Sequence, residues 1–169
     1  MFEIRRAGLA DVGDIAAAHR DSIRSIGPLF YAPAIVDDWG AQISGELYAT
    51  AMAQGEVFFI AIGDVTGTRA VLGFSSHRVD GDVHGTSVYV RGEAARRGLG
   101  SALLRAAEAA ALAAGATSIE IDASLAAVEF YRANGFEEVG RGEHPLSSGR
   151  TMACVFMQKA LVGDRTVDN

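Results

Sequence analysis

The sequence has one cysteine, Cys154, and one lysine, Lys159, among its 169 residues. A single cysteine cannot form an internal disulfide, and such cysteine usage favours a reducing compartment. A Walker-type phosphate loop needs Gly-Lys-Ser/Thr, and Lys159 stands in no such motif. Two classes are therefore excluded, a disulfide framework and a P-loop nucleotide-binding protein.

The sequence also lacks long apolar runs and an excess of positive charge. Its longest uncharged apolar run, 109–119, is shorter than the roughly 20 residues that span a bilayer. Charged residues interrupt the first 17 positions, unlike a signal peptide. The net charge of −6 disfavours nucleic acid as the main partner. We expect a cytoplasmic protein with neither a membrane nor a nucleic-acid partner.

The length predicts one domain, 1–162, followed by a flexible tail, 163–169. Hydrophobic periodicity predicts a first strand, two helical regions and three strands, and then a helix, a strand, a short helix and two strands. Ser124 is expected as the N-cap of the short helix. The fold class is therefore mixed α/β, built on about seven strands. One strand–helix–strand crossover, 83–122, gives a locally parallel pair within a mostly antiparallel sheet.

The crossover contains an unusual loop, ARRGLGSALL (95–104), at the start of its helix. Free N–H groups in a first helical turn, together with the helix dipole, favour an anion. Gly98 and Gly100 lack a Cβ that would block a ligand, and Arg96 and Arg97 add positive charge. The loop therefore predicts a pyrophosphate site, although a simple turn with solvated arginines explains it about equally well. A dinucleotide fingerprint fits less well, because Leu103 stands where it needs a third glycine.

This loop resembles the Gln/Arg-x-x-Gly-x-Gly/Ala segment of the GNAT superfamily of acyl-CoA-dependent N-acetyltransferases, with Ala95 in the Gln/Arg position. SLAAVEFYRANGFEEVG (124–140) resembles the family's Asn-x-x-Ala-x-x-Phe-Tyr-x-x-x-Gly-Phe segment, with Ser124 in the asparagine position. Two motifs in the right order are far more specific than one. A fainter similarity, in 31–40, is to a YafP-like branch. The resemblance implies a GNAT-like sheet with helices on both faces.

The resemblance also implies a reaction and its residues. Acetyl-CoA would be the co-substrate, without a metal, and its acetyl group would pass directly to a primary amine of a small molecule or peptide. Tyr131 takes the position of the general acid that protonates the leaving thiolate. Residues expected to bind the coenzyme are Val88, Tyr89, Val90, Ala95, Arg96, Arg97, Gly98, Leu99, Gly100, Ser101, Ser124, Ala127 and Tyr131.

The general base and the acceptor pocket are less defined by the sequence. His84 occupies the position of a common family glutamate and has a suitable intrinsic pKa, while Asp82, Asp122 and Glu120 remain alternatives. Tyr31 and Trp39 lie where the family builds its acceptor pocket, although core packing explains them nearly as well. His19 and Cys154 are expected to be buried packing residues.

Two alternatives and one assembly remain open. A non-catalytic acyl-CoA-binding or sensing module would keep the same fold, and the departures at Ala95 and Ser124 keep this alternative open. A dinucleotide-binding oxidoreductase would bind NAD. The resemblance also makes a homodimer a prediction.

Overall fold

The computed structural model describes residues 1–162, so the predicted tail lies outside the described residues. Along the chain the elements are β1 (Phe2–Arg6), α1 (Val12–Ile26), α2 (Pro33–Ala41), α3 (Gly45–Ala53), β2 (Val57–Val65), β3 (Thr68–Asp80), β4 (Val83–Val90), α4 (Leu99–Ala113), β5 (Ser118–Ser124), α5 (Val128–Ala133), β6 (Glu137–Pro145) and β7 (Thr151–Ala160). Short 3₁₀ turns precede α1, follow it and precede α4. Within this range no helix is long and apolar enough to cross a membrane.

The seven strands described form one sheet in the order β1-β2-β3-β4-β5-β7-β6. Every neighbouring pair is antiparallel except β4 and β5, which are parallel. The crossover through α4 makes that pair parallel, since a helix returns the chain to the same end of the sheet. The predicted fold class is confirmed: a mixed, mostly antiparallel sheet with helices on both faces.

Helices α1, α2 and α3 pack against one side of the sheet, which we name the α1 face, through a cluster that includes Phe58, Phe74 and Tyr89. Helices α4 and α5 cover the other side, the α4 face, through clusters that include Leu103 and Val155. Side chains alternate between the two faces along each strand. This alternation decides on which side of the sheet each candidate residue lies.

Two local predictions need correction. The second helical region is two helices, α2 and α3, because Gln42 ends the first and the Ser44 hydroxyl caps the second by accepting the Leu47 N–H. Ser124 is not the N-cap of α5. It is the last residue of β5, and the helix begins after Ala127. The Ser124 carbonyl instead closes the intervening turn by accepting the Ala127 N–H at 2.9 Å.

Candidate active site

Strands β4 and β5 part from each other almost as soon as they meet. Their only residue pair is Gly85 with Glu120, whereas β3 and β4 stay paired from Gly73 to Asp80. From Thr86 to Val90 the β5 side of β4 therefore has no strand partner. Backbone polar groups in such a gap need another partner, from a side chain or a ligand.

Tyr131 of α5 supplies one partner within this gap. Its side chain is 2% exposed, and its hydroxyl lies near the Val88 N–H. Burial raises the pKa of Tyr131 well above its ordinary value, while the Val88 N–H and the Arg78 charge act in the opposite direction. The phenol is therefore protonated throughout the neutral range and lies at the centre of the gap.

The arginine–glycine loop lies between β4 and the start of α4. Gly98 is the N-cap of α4 in a left-handed conformation (φ +79°), and a Cβ there would meet no atom within 4 Å. Gly98 offers no capping side chain, so the first N–H groups of α4 have no intrahelical partner. Arg96 also has a positive φ, 62°, which is rare for a residue with a side chain and clusters at functional sites.

Position 100 is a glycine for a different reason from the one expected. A Cβ at this position would lie 2.9 Å from the Phe130 ring, so glycine here lets α4 approach α5. The loop residues Ala95, Arg96 and Arg97 are exposed, Leu99 is buried in the core, and Ser101 is partly buried. Among residues 1–162, neither Arg96 nor Arg97 makes a side-chain hydrogen bond or an ion pair. Both guanidinium groups are therefore available beside the open end of α4.

His84 does not lie with the aromatic residues. It is on the α4 face of β4 and is stacked on His77, with ring centroids 5.2 Å apart and His77 Nε2 2.9 Å from His84 Nδ1. Burial, with smaller effects of His84 and Arg78, lowers the pKa of His77. The alternatives Glu120 and Asp122 alternate with buried β5 residues and face the opposite side.

Tyr31 and Trp39 come together on the α1 face. Their rings are 5.9 Å apart, and Trp39 lies 6.3 Å from the Tyr89 ring of β4. The Tyr31 hydroxyl donates to the Ala153 carbonyl at 2.6 Å and accepts the Leu125 N–H at 2.8 Å. These bonds fasten the α1–α2 connection across the ends of β5 and β7, next to the gap.

His19 is a buried packing residue, as expected, but it is not fully hydrogen-bonded. Its ring lies 3.8 Å from that of Tyr89, and its Nδ1 bonds the Tyr48 hydroxyl. Its Nε2 has no hydrogen-bond partner among the residues described. Burial lowers the pKa of His19 to about 3, so the imidazole is neutral at physiological pH. The neutral His19 ring packs against the Tyr89 ring.

Other reactive side chains are occupied or buried. Cys154 is 3% exposed, and burial raises the pKa of its thiol. Asp38 accepts a hydrogen bond from Ser148 and pairs with Arg150. His144 lies 3.4 Å from Asp122. In residues 1–162 no three metal-ligating side chains cluster together.

Two side chains beside the gap, those of Tyr89 and Arg78, were not identified from the sequence. Tyr89 was expected to contribute only its backbone, yet its phenol packs at the centre of the aromatic group, and burial raises its pKa to about 12. Arg78 lies across Gly85, where a Cβ would be 2.8 Å from its Cζ. Period-two alternation from Phe74 already places Arg78 on the α1 face. The missing information was that β4 and β5 diverge beside it.

A family model for the acetyltransferase (GNAT) domain matches residues 54–138, from the end of α3 to the start of β6. The chain belongs to the GNAT acetyltransferase family. No curated protein is significantly similar to it in sequence. The YafP-like branch stays a prediction.

Solved structures agree with the fold. A GCN5-related N-acetyltransferase from Rhodopseudomonas palustris is 26% identical, with a TM-score of 0.79 over 94% of this chain and 95% of that one. PaiA N-acetyltransferase from Thermoplasma acidophilum, in complex with coenzyme A, is 18% identical, with a TM-score of 0.73 over 95% and 99%. YncA from Salmonella typhimurium, with its cofactor acetyl-CoA, is 21% identical, with a TM-score of 0.69 over 99% and 98%.

Proposed function

We propose that residues 1–162 form a single-domain acetyl-CoA-dependent N-acetyltransferase that transfers the acetyl group directly to a primary amine. The observation that carries this proposal is the gap between β4 and β5. It holds a buried, protonated phenol against a strand N–H, next to the open end of α4. A thioester placed there would meet a hydrogen-bond donor and a proton donor at once.

The coenzyme fits the loop and the gap together. We assign the pyrophosphate to the N–H groups of Leu99, Gly100 and Ser101, with Arg96 and Arg97 beside it, because anions bind at helix N-termini. We assign the pantetheine arm to the backbone of 88–90, whose β5 side has no strand partner. The left-handed Gly98 leaves open space where a side chain would stand. The loop therefore needs no side chain from Ala95 to contact the phosphates.

The proposed reaction is a direct displacement. The amine nitrogen attacks the thioester carbonyl carbon, and the Val88 N–H is the donor assigned to the carbonyl oxygen. The C–S bond then breaks, the nitrogen loses a proton to the base, and the sulfur takes the proton of Tyr131. The products are an amide and free coenzyme A. Burial disfavours the charged form of both groups, so it raises the pKa of a thiol beside the phenol as well as that of the phenol.

The base is needed because an ordinary lysine-like amine, with a pKa of about 10.4, is neutral in about one molecule in 2,500 at pH 7. His84 stays a prediction for this role, and its ring lies on the α4 face, beside His77. Asp122 and Glu120 lie on the same face as the aromatic residues Tyr31 and Trp39. A direct or water-mediated path from these carboxylates to an amine on the α1 face needs no passage through the sheet.

Binding and turnover together test the proposal. We expect acetyl-CoA, but not NAD, to give micromolar binding by isothermal titration, and amines to release free thiol in the presence of acetyl-CoA. Binding without thiol release from any amine would favour the sensing module, and NAD binding would favour the oxidoreductase. Arg96→Gln/Arg97→Gln should weaken acetyl-CoA binding about tenfold or more. The matched double variant Arg5→Gln/Arg69→Gln, which removes two ion-paired arginines, should leave binding unchanged.

A further inference from the structure

The proposed function leaves the chemical class of the acceptor open, and a small cavity on the α1 face bears on it. The cavity has a volume of about 200 Å³ and lies where β4 and β5 diverge. Its lining is Arg78, Asp80, Val83, Gly85, Glu120, Ile121 and Asp122. Pockets for drug-sized ligands usually measure about 300–1,000 Å³. This cavity therefore suits a small metabolite better than a folded protein surface.

Arg78 is the one cation lining this cavity, and its charge is not neutralised by contact. Three carboxylates share the cavity, yet among residues 1–162 none lies within 4.0 Å of the Arg78 guanidinium. Its one hydrogen bond to these described residues, at 3.4 Å, goes to the Thr86 carbonyl. The side chain is exposed, so an incoming anion meets the guanidinium without displacing a protein partner.

Gly85 lets the Arg78 guanidinium lie directly on strand β4. A Cβ at this residue would lie 2.8 Å from Cζ and 2.9 Å from both Nε and Nη2 of Arg78. Any side chain here would therefore lift the guanidinium off the strand. The planar, two-pronged face of an arginine held in this way matches a carboxylate.

The same guanidinium is close enough to the proposed reaction centre to act on it. Its charge lowers the pKa values of both Tyr89 and Tyr131, against the rise that burial causes. Gly85, on which the guanidinium lies, is three residues before Val88 on the same strand, so an anion bound at Arg78 lies beside the gap. Glu120 and Asp122 lie on the other side of the cavity and suit an ammonium group.

We propose that the acceptor is an amino acid, with its carboxylate on Arg78 and its amine directed toward Tyr131 and Val88. The inference rests on the proposed function and names its substrate class. A zwitterion matches a cavity that offers one arginine and several carboxylates. A diamine would use the carboxylates and leave Arg78 facing a second positive charge.

The test compares each of the twenty L-amino acids with its own carboxamide, using thiol release from acetyl-CoA and isothermal titration into protein saturated with coenzyme A. The carboxamide keeps the shape and the amine but loses the negative charge. Its amine also deprotonates more readily, because no carboxylate stabilises the ammonium. A preference for the amino acid therefore reports the carboxylate contact. We expect at least one amino acid to exceed its carboxamide about tenfold or more in kcat/KM and in affinity.

Three variants locate the effect. Arg78→Gln should abolish this preference, mainly through KM for the amino acid, without changing acetyl-CoA affinity. Gly85→Ala should do the same while keeping the charge, since the three atoms nearest to its Cβ all belong to the flexible end of Arg78. Arg69→Gln is the control, because Arg69 lies on the same strand but pairs with Glu3.

Three results would overturn the inference. The protein could accept carboxamides or diamines as well as it accepts amino acids. Arg78→Gln could lower kcat/KM equally for amino acids and for their carboxamides, or no amino acid could bind at all. In each of these cases thiol release with other amines would leave the proposed function intact. Absence of both acetyl-CoA binding and thiol release with every amine would instead remove the proposed function itself.

Discussion

Tyr131 combines two properties that rarely occur together: it is almost completely buried, and its hydroxyl lies against a strand N–H that no other strand uses. Packing alone would explain the ring, which contacts Phe130 and Phe136 at centroid distances of 5.0 and 5.2 Å. The hydroxyl needs a separate reason, because phenylalanine would fill the same space. The proposed proton transfer supplies that reason.

Tyr131→Phe should lower kcat about 100-fold, the size typical of losing a general acid, and leave acetyl-CoA affinity unchanged. Steady-state kinetics of thiol release and isothermal titration measure the two quantities. Tyr48→Phe is the matched control, since it also removes a buried hydroxyl but one that bonds His19. Full turnover by Tyr131→Phe would remove the tyrosine from the proposed mechanism.

At the scale of elements, α4 and α5 meet through a glycine and an aromatic ring. Gly100 in the first turn of α4 faces Phe130 of α5, and this contact brings the open end of α4 near the helix that carries Tyr131. The two sequence motifs are therefore in direct contact, about 30 residues apart in the chain. The two motifs therefore form one packing interface, although they are separate in the sequence.

Gly100→Ala should destabilise the fold by about 1–3 kcal/mol, as overpacking usually does, because its Cβ would lie 2.9 Å from the Phe130 ring. Phe130→Leu should make the same change less harmful by removing the ring. The free energies of unfolding of the wild type, both single variants and the double variant form a thermodynamic cycle. Additive effects would contradict a direct contact between these two residues.

At the scale of the whole molecule, the sheet separates two cores, and each contains a buried histidine. His77 lies on the α4 face beside His84, whereas the α1 face encloses His19 among aromatic rings. Because the His19 imidazole is buried and neutral, the free energy of unfolding depends on pH. Unfolding releases His19 to its ordinary pKa of about 6.5, so below that value the unfolded state binds the additional proton.

Stability should consequently fall as the pH drops below about 6.5, and the loss continues toward the folded pKa of about 3. Between pH 7.5 and 5.0 the His19 contribution is at most about 2 kcal/mol, at 1.36 kcal/mol for each pKa unit. Urea unfolding at both pH values should show a smaller acid loss in His19→Leu than in the wild type. His77, with its lowered pKa, acts in the same direction and accounts for part of the remainder. An equal loss in both proteins would contradict this assignment.

Local sequence patterns predicted the fold class, the family resemblance and the element order, except that the second helical region is two helices. These predictions depend on local patterns: strand alternation, helical periodicity, the Gly98–Gly100 loop and the segment around Tyr131. Such patterns can be recognised in a single sequence because each depends on residues only a few positions apart. The short helix after β5 was misjudged at its start, since the Ser124 carbonyl closes a turn there and its side chain caps no helix.

Where two strands part, and which side chains meet beside them, depends on tertiary packing. His84 is stacked with His77 and Arg78 lies on Gly85 because β3 and β4 pair in one particular register. Shifting that register by one residue would exchange the two faces. The divergence of β4 from β5 leaves the Val88 N–H near Tyr131 and opens a cavity beside Arg78, and it depends on contacts distant in the chain. Periodicity can place a residue on a face, but which residues share a cavity depends on how the sheet and helices pack.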